Sequence, residues 1–349
     1  MPTIDIAGRR VGPGSPCLII AEAGVNHDGR VEIARRMIDE AAAAGVDAVK
    51  FQTFRADRLA APGAPKAEYQ RLTTGDAESQ VEMLRRLELP REAHRDLMEH
   101  CAKRGVLFLS SPFSEEDADF LEALGAAVFK IPSGEATNLP FLAHVARKGR
   151  PLIVSTGMCT LAEVEAAVGV IGREGNRRAI LLHCVSSYPA PPDQANLRAM
   201  QTLARTFGFP VGFSDHTPGI AVALAAAALE ACVIEKHLTL DRSRAGPDQA
   251  VSLEPAEMAA LVRGVRTVES ALGHGRKEPA PCEADIAGVA RKSLVAARDL
   301  PAGAALTEEM IAVRRPGTGL SPSRRSQIVG RVLRVPVRTG TVLTLEMLS

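Results

Sequence analysis

Two histidines stand at matched positions in the second half of the sequence. His216 and His237 each follow a short, β-rich apolar run, and one helical stretch separates the two runs. Because neighbouring parallel strands lie about 4.8 Å apart, both imidazoles could reach one divalent ion. Two histidines without a nearby cysteine leave coordination positions for water and substrate, which suits catalytic manganese, cobalt or zinc. Either histidine alone would more simply be structural, so the metal hypothesis depends on the pairing.

Two lysines and several serines end other apolar runs of the same kind. Lys50 and Lys130 could bind a small dianion such as a phosphate ester, and serine hydroxyls would add further donors. These serines are Ser111, Ser133, Ser155, Ser186 and Ser214. A serine at a strand end can also satisfy local backbone, and a lysine there could instead be the Schiff-base nucleophile of an aldolase. The lysines therefore leave two enzyme classes open.

Three acids follow runs of the same series. Glu22, Glu135 and Asp248 could orient sugar hydroxyls or transfer protons. Asp248 lies in a Gly-Pro-Asp turn, where a solvated acid is the simpler interpretation.

All these side chains need a scaffold that gathers strand ends at one face. Eight β-rich apolar runs alternate with helical stretches, which indicates repeated βα units of the α/β class. The runs are 17–22, 48–52, 106–110, 127–131, 152–155, 180–184, 211–214 and 233–236. Eight parallel units predict a closed (β/α)8 TIM barrel, in which the carboxyl ends of the strands surround the active site.

The remaining sequence predicts a second, smaller domain. We assign residues 1–275 to the barrel, 276–288 to a linker and 289–349 to a C-terminal capping domain. The linker has two prolines and five charged residues without helical periodicity. In the last domain GAALTEEMI (303–311) recurs as GTVLTLEML (340–348), an offset of 37 residues. Such a repeat predicts a compact, pseudo-twofold, β-rich fold, and so small a core suggests support from a partner surface.

Composition excludes several other classes of function. Apolar residues make up 46% of the chain, which is enough for a large core. A net charge of +1 provides no field to attract nucleic acid. The six cysteines form no CxxC pair, which favours reduced thiols. We expect a cytoplasmic location, because the first residues lack an apolar leader and no apolar stretch is long enough to span a membrane.

On these residues the chain resembles the bacterial N-acetylneuraminate (sialic acid) synthase family over essentially its full length, and its tail resembles the antifreeze-like (SAF) domain of that family. The matching segments are IAEAGVNHDG (20–29), VKFQTF (49–54), KAEYQ (66–70), SSPF (110–113), KIPSGE (130–135), STGM (155–158), LLHCVSSYPAPP (181–192), FSDHT (213–217), IEKHLT (234–239), GPDQ (246–249) and RRPGTG (314–319).

The resemblance implies an enzyme that condenses phosphoenolpyruvate with open-chain N-acetylmannosamine, giving N-acetylneuraminate and phosphate by C–O cleavage. It also implies a domain-swapped homodimer. His216 and His237 would hold the metal, with Mn²⁺ expected and Co²⁺ or Mg²⁺ as alternatives, and the ion would polarise the sugar aldehyde. N,N'-diacetyllegionaminate synthesis, from the 4-acetamido-6-deoxy sugar, is the first alternative, and a lysine aldolase is the second.

The resemblance also implies which residues of this chain form the site, wherever its motifs match those of the family. Phosphoenolpyruvate would be held by Lys50, Ser111, Lys130, Ser133, Ser155, Ser186 and Ser214. The sugar would be bound by Gln52, Tyr188, Asp248 and, from the opposite subunit, Arg315. Glu22 and Glu135 would act as acid/base and orienting groups beside the two catalytic lysines. The segment 57–77 does not align well enough to assign a sugar contact.

Overall fold

The computed structural model describes all 349 residues and divides them into two compact units, Met1–Gly273 and His274–Ser349. Each unit has a hydrophobic cluster of its own. No helix combines the length and the apolar character that crossing a membrane requires.

Parallel strands form the centre of the first unit. Its strands are β1 (Ile4–Ile6), β2 (Arg9–Val11), β3 (Leu18–Gly24), β4 (Ala48–Thr53), β5 (Leu107–Pro112), β6 (Phe129–Ile131), β7 (Leu152–Ser155), β8 (Ala179–Cys184), β9 (Val211–Asp215) and β10 (Val233–His237). Strands β3 to β10 form one sheet in the order β5-β4-β3-β10-β9-β8-β7-β6. Since β5 and β6 also lie side by side, the sheet is a nearly closed barrel. The predicted α/β barrel is confirmed.

Helices separate consecutive barrel strands and cover the outside of the sheet. They are α1 (Val31–Ala44), α2 (Ala56–Leu59), α3 (Glu68–Thr74), α4 (Gln80–Leu87), α5 (Arg91–Lys103), α6 (Glu115–Leu124), α7 (Leu139–Arg147), α8 (Leu161–Arg173), α9 (Arg198–Phe207), α10 (Ala221–Ala228) and α11 (Pro255–Leu272). Local sequence explains where several of them begin and end. Thr160 and Glu163 form a capping box at the start of α8, and Gly45 ends α1 at a φ of 85°.

Side chains alternate between the two faces of each barrel strand. On β3, Ile19 packs against the outer helices, whereas Leu18 and Ile20 point to the inner cluster. The hairpin β1–β2 adds Ile4 and Ile6 to that inner cluster, so it closes the amino-terminal end of the barrel. The carboxyl end remains for polar side chains.

The second unit is built around the internal repeat. It contains α12 (Ala284–Ala290), β11 (Ser293–Ala296), β12 (Ile311–Arg314) and α13 (Arg325–Ile328), and β11 pairs antiparallel with β12. Gly303 and Gly340 start the two repeats with φ values of 81° and 83°, and each repeat then forms a 3-10 turn, Glu308–Met310 or Leu345–Met347. The stretch predicted as a linker contains most of α12, which its sequence did not indicate.

Candidate active site

An ion pair joins the ends of β3 and β4 inside the barrel. The parallel register places Glu22 beside Lys50, and Lys50 Nζ lies 2.6 Å from Glu22 Oε2. Gln52, two residues further along β4, donates to Glu22 Oε1 at 3.0 Å. Glu22 and Lys50 are 2% and 4% exposed, so this pair is held away from bulk water. Three predicted site residues therefore meet at one point.

Glu235, on β10, connects the two lysines. Its Oε1 lies 3.3 Å from Lys130 Nζ and its Oε2 lies 3.8 Å from Lys50 Nζ. Ser214 Oγ donates to Glu235 Oε1 at 2.9 Å. Glu235 is not among the site residues predicted from the sequence, although it lies near the end of the eighth run. Its function depends on which strands are neighbours, and the parallel order of β9, β10, β3 and β4 provides that information.

Two of the predicted serines contact these ammonium groups, and two others meet at Gly157. Lys130 donates to Ser155 Oγ at 2.9 Å, and Lys50 lies 3.4 Å from Ser111 Oγ. Ser133 Oγ accepts from the backbone N–H of Gly157 at 3.0 Å. A Cβ atom at position 157 would lie 2.3 Å from Ser186 Oγ and 2.8 Å from Ser133 Oγ, so only glycine lets these hydroxyls converge.

Burial and mutual attraction set the charges of this cluster. Burial raises the pKa of Glu22, a shift that Lys50 opposes and Glu235 reinforces. Burial also disfavours the charge of Lys50, but Glu22 and Glu235 raise its pKa on balance. For Lys130 burial prevails and lowers the pKa. Two lysines and two carboxylates thus form a nearly neutral group that can receive an anion when its internal pairs rearrange.

His216 and His237 lie next to this cluster with ring centroids 5.3 Å apart. His216 Nδ1 donates to the carbonyl of Val185 at 2.8 Å. Burial opposes the charge of this ring, but Cys184 and the Val185 carbonyl raise its pKa on balance. When the ring is neutral, Nε2 is free as a ligand. His237 Nδ1 is buried without a hydrogen-bond partner. Burial and the neighbouring His216 lower the pKa of His237 well below its usual range, so this ring is neutral, as a metal ligand must be. The pair fits a divalent cation.

The surroundings of the two histidines differ from expectation in one respect. The sequence suggested no cysteine near them, but Cys184 Sγ lies 3.7 Å from His216 Nδ1. This contact is at the nitrogen that already bonds to Val185, opposite the free Nε2. No group of three or more His, Cys, Asp or Glu side chains is arranged to hold an ion, so water and substrate would have to complete the coordination sphere.

A second buried ion pair fastens the two histidine-bearing strands from outside the barrel. Lys236 Nζ lies 2.7 Å from Asp215 Oδ2 and also donates to the carbonyl of Thr217. Asp215 Oδ1 accepts from both the N–H and the hydroxyl of Thr217, each at 2.8 Å. Because Asp215 precedes His216 and Lys236 precedes His237, the pair fixes the spacing of the two rings.

Aromatic and acidic side chains form the side predicted to receive the sugar. The ring of Tyr188 lies 4.2 Å from that of His216 and 5.8 Å from that of His237. Asp248 Oδ2 lies 3.6 Å from His237 Nδ1. Burial and the charge of Glu22 raise the pKa of Asp248 to about 6. Asp248 is 7% exposed, so it is not the solvated turn residue that the sequence also allowed.

Two predicted residues are not joined to this cluster. Glu135 lies in the 3-10 turn Ser133–Glu135, where its carboxylate accepts from Asn138 at 2.7 Å. Arg315 lies in the second unit, is exposed, and donates to the carbonyl of Ala290 at 3.1 Å. Their proposed roles require substrate or a second copy of the chain.

Tyr69 is a further residue of the site that the sequence analysis did not identify. It lies on α3, within the poorly aligned segment, and its ring stacks on Tyr188 at 5.0 Å. The KAEYQ match gave its position, but nothing in the local pattern showed that α3 reaches the barrel mouth.

The chain is similar in sequence to known proteins. Residues 37–277 match the NeuB family, and residues 291–349 match the SAF domain. The chain is 47% identical over 339 residues to the N,N'-diacetyllegionaminic acid synthase of Legionella pneumophila, covering 96% of this chain and 95% of that protein. It is 46% identical over 317 residues to the protein of the same name from Campylobacter jejuni, covering 90% and 95%.

A solved structure shares the fold. The crystal structure of N-acetylneuraminic acid (sialic acid) synthetase from Leptospira borgpetersenii, in complex with citrate, aligns with a TM-score of 0.73 at 36% identity. The alignment covers 82% of this chain and 95% of that one.

Proposed function

Since the chain belongs to the NeuB family and ends in a SAF domain, we propose that it joins phosphoenolpyruvate to an open-chain N-acylated aminohexose. The resemblance drawn from the motifs is thereby confirmed at the level of the family. The single observation that supports the reaction best is the buried group of two lysines and two carboxylates, with two facing imidazoles beside it. It offers an anion site and a metal site in one barrel mouth.

We assign the acceptor as the 4-acetamido-6-deoxy analogue of N-acetylmannosamine, so that the product is N,N'-diacetyllegionaminate. The motifs alone favour N-acetylneuraminate, but the two legionaminic acid synthases are 46% and 47% identical to this chain. The sialic acid synthetase of Leptospira is 36% identical. That similarity keeps N-acetylmannosamine as the second candidate acceptor.

The lysines and hydroxyls would bind phosphoenolpyruvate. Lys130 and Lys50 would each exchange a carboxylate partner for the phosphate or carboxylate of the substrate, because a dianion offers more charge than Glu235 alone. Ser155 and Ser111 already bond to the two ammonium groups and would add donors to the same oxygens.

The reaction then forms one carbon–carbon bond and breaks one carbon–oxygen bond. Carbon 3 of phosphoenolpyruvate bonds to the aldehyde carbon, water adds at carbon 2, and phosphate leaves with the former ester oxygen. The aldehyde oxygen gains one proton of this water, and the departing phosphate gains the other as the carbon 2 hydroxyl becomes a ketone. Glu22, which lies between Lys50 and Gln52, would carry the proton to the aldehyde oxygen, because burial raises its pKa and makes protonation easier.

His216 and His237 would hold a divalent cation, for which we expect Mn²⁺ with Co²⁺ or Mg²⁺ as alternatives; it would supply Lewis acidity at the acceptor aldehyde. Tyr188 and Asp248 would orient the sugar beside these rings. Arg315 of a second copy would contact the N-acyl group, which makes a homodimer part of the proposal.

Phosphate release tests the proposal. Chelator-treated protein is given phosphoenolpyruvate with either sugar, with and without Mn²⁺. We expect Mn²⁺-dependent release that is faster with the 4-acetamido-6-deoxy sugar. Faster release with N-acetylmannosamine would reverse the assignment of the acceptor, and no release from folded protein would contradict the reaction.

A lysine aldolase predicts a different result. Its Schiff base would be trapped by borohydride in the presence of pyruvate, and chelator would not affect turnover. We expect no trapped adduct on Lys50 or Lys130 by mass spectrometry.

A further inference from the structure

Cys184 is a buried side chain to which the proposed reaction gives no role. It ends strand β8 and is 5% exposed. Leu182, two residues earlier on the same strand, belongs to the inner cluster of the barrel. Because side chains alternate along a strand, Cys184 also points into the barrel. Its sulfur therefore lies among the residues of the proposed site.

The sulfur of Cys184 shares a small space with two hydroxyls of the proposed phosphoenolpyruvate site. A Cβ atom at Gly157 would lie 3.2 Å from Cys184 Sγ, 2.8 Å from Ser133 Oγ and 2.3 Å from Ser186 Oγ. All three side chains thus lie within 3.2 Å of one point beside Gly157. Since protein interiors are packed as densely as organic crystals, a hydroxyl that turns toward a bound phosphate changes the space left for the sulfur.

The same sulfur also contacts the proposed metal site. Cys184 Sγ lies 3.7 Å from His216 Nδ1, and the carbonyl of Val185 accepts from the same nitrogen at 2.8 Å. Ser186, whose hydroxyl lies at Gly157, is the next residue of the chain. Three consecutive residues therefore contact both the anion site and a metal ligand.

We propose that Cys184 is a positioning residue that couples the two sites, so that phosphoenolpyruvate and the metal ion each strengthen the binding of the other. This inference rests on the proposed function, which supplies both ligands. A phosphate that accepts from Ser133 and Ser186 would fix their hydroxyls and restrict the position of the sulfur. The sulfur would then hold the imidazole of His216 in place for the ion. By linkage, the factor must be the same in both directions.

Direct attraction between the two ligands is a second source of coupling. A dianion favours the binding of a nearby divalent cation through its charge. This attraction does not depend on the side chain of Cys184. The contribution of Cys184 is therefore the part of the coupling that disappears when its sulfur is removed.

Binding of Mn²⁺ measures this coupling without turnover when no sugar is present. Free Mn²⁺ is followed by electron paramagnetic resonance, with and without saturating phosphoenolpyruvate, in wild-type protein, Cys184→Ala and Cys184→Ser. Cys101→Ala is the matched control, because Cys101 is a fully buried cysteine on α5. We expect phosphoenolpyruvate to raise the affinity for Mn²⁺ about tenfold or more in wild type and in the control.

In Cys184→Ala this coupling factor should fall about threefold or more. Cys184→Ser, which keeps a polar atom at the position, should lie between wild type and Cys184→Ala. A purely structural role of Cys184 would weaken Mn²⁺ binding equally with and without phosphoenolpyruvate, and the factor would not change. Calorimetry of phosphoenolpyruvate binding, with and without Mn²⁺, should give the same factors.

Three results would contradict the inference. If Cys184→Ala unfolds, Cys184→Ser is the test, and a wild-type coupling factor in every folded variant at this position would overturn the role of Cys184. Wild-type protein that binds both ligands with independent affinities would overturn the coupling and leave the proposed reaction intact. Wild-type protein that binds no Mn²⁺ would overturn the proposed metal site, and this inference with it.

Discussion

A single carboxylate organises the polar centre of this barrel. Glu235 accepts from Ser214 and lies within 3.8 Å of both lysines, so each ammonium group has a partner before any substrate binds. Lys130 has no other carboxylate within ion-pair distance. The two lysines could be recognised from the sequence because they end apolar runs. The acid that pairs with them also lies near the end of a run, but its contact with both lysines follows only from the strand order.

Glu235→Gln should therefore destabilise the protein and make it more responsive to anions. Removing one partner of a buried pair costs about 3 kcal/mol or more, because the other charge stays buried without compensation. We expect a loss of that size in urea unfolding, and a larger stabilisation by inorganic phosphate than in wild type. Glu278→Gln, at an exposed site, is the control. Equal phosphate responses would argue against an anion site at Lys130.

His27 gives a second prediction at this scale, which concerns pH. Its ring is 1% exposed, and burial lowers its pKa to about 4. In the unfolded chain the imidazole takes up a proton near pH 6.5. Between these two pKa values the unfolded state therefore binds more protons than the folded state, so stability falls as the pH drops. From pH 7 to pH 5 this residue lowers the free energy of unfolding by about 2 kcal/mol.

His27→Gln should reduce that pH dependence. The free energy of unfolding is measured by urea titration at pH 7 and at pH 5. The change in this free energy between the two pH values should be about 2 kcal/mol smaller in the variant than in wild type. His274→Gln is the control, because the His274 side chain is 64% exposed. If the free energy of unfolding changes between pH 7 and pH 5 as much in His27→Gln as in wild type, His27 is charged in the folded protein.

At the scale of elements, strong periodicity and clear caps decided what the sequence could predict. The sequences of α1, α6, α8 and α11 predict helices, because each has an apolar stripe and begins or ends at a recognisable signal. The hairpin β1–β2 was missed, since two three-residue strands carry too few positions to show alternation. The helix α3 was missed because it has no buried residue to form a stripe.

The ion pair between β9 and β10 yields a prediction about metal affinity. Lys236→Met removes the charge that binds Asp215 and Thr217, so the segment that carries His216 should become less fixed relative to His237. We expect Mn²⁺ affinity to fall about tenfold or more, as for other residues that orient metal ligands. Electron paramagnetic resonance of free Mn²⁺ measures this without turnover. Lys103→Met, at the exposed end of α5, is the control, and identical affinities in both variants would contradict the positioning role.

At the scale of the whole molecule, the proposal needs two copies of the chain. Arg315 and the histidines lie in different units, and the family resemblance implies that Arg315 serves a second subunit. If so, Arg315→Ala and His237→Ala, each inactive alone, should complement each other when mixed. Random exchange should restore about a quarter of wild-type activity, because half of the dimers then contain one complete site. No recovery after verified subunit exchange would contradict a shared site.

The two halves of the C-terminal unit depend on each other for backbone partners. Leu343 donates to the carbonyl of Leu294, and Leu348, the penultimate residue, bridges to Leu333. Translation adds the second repeat (340–348) long after the barrel, and domains generally fold in the order in which they leave the ribosome. The barrel can therefore close on a nascent chain that still lacks the second repeat, whereas the C-terminal unit cannot. A chain cut within residues 340–348 would carry a finished barrel and an open C-terminal unit.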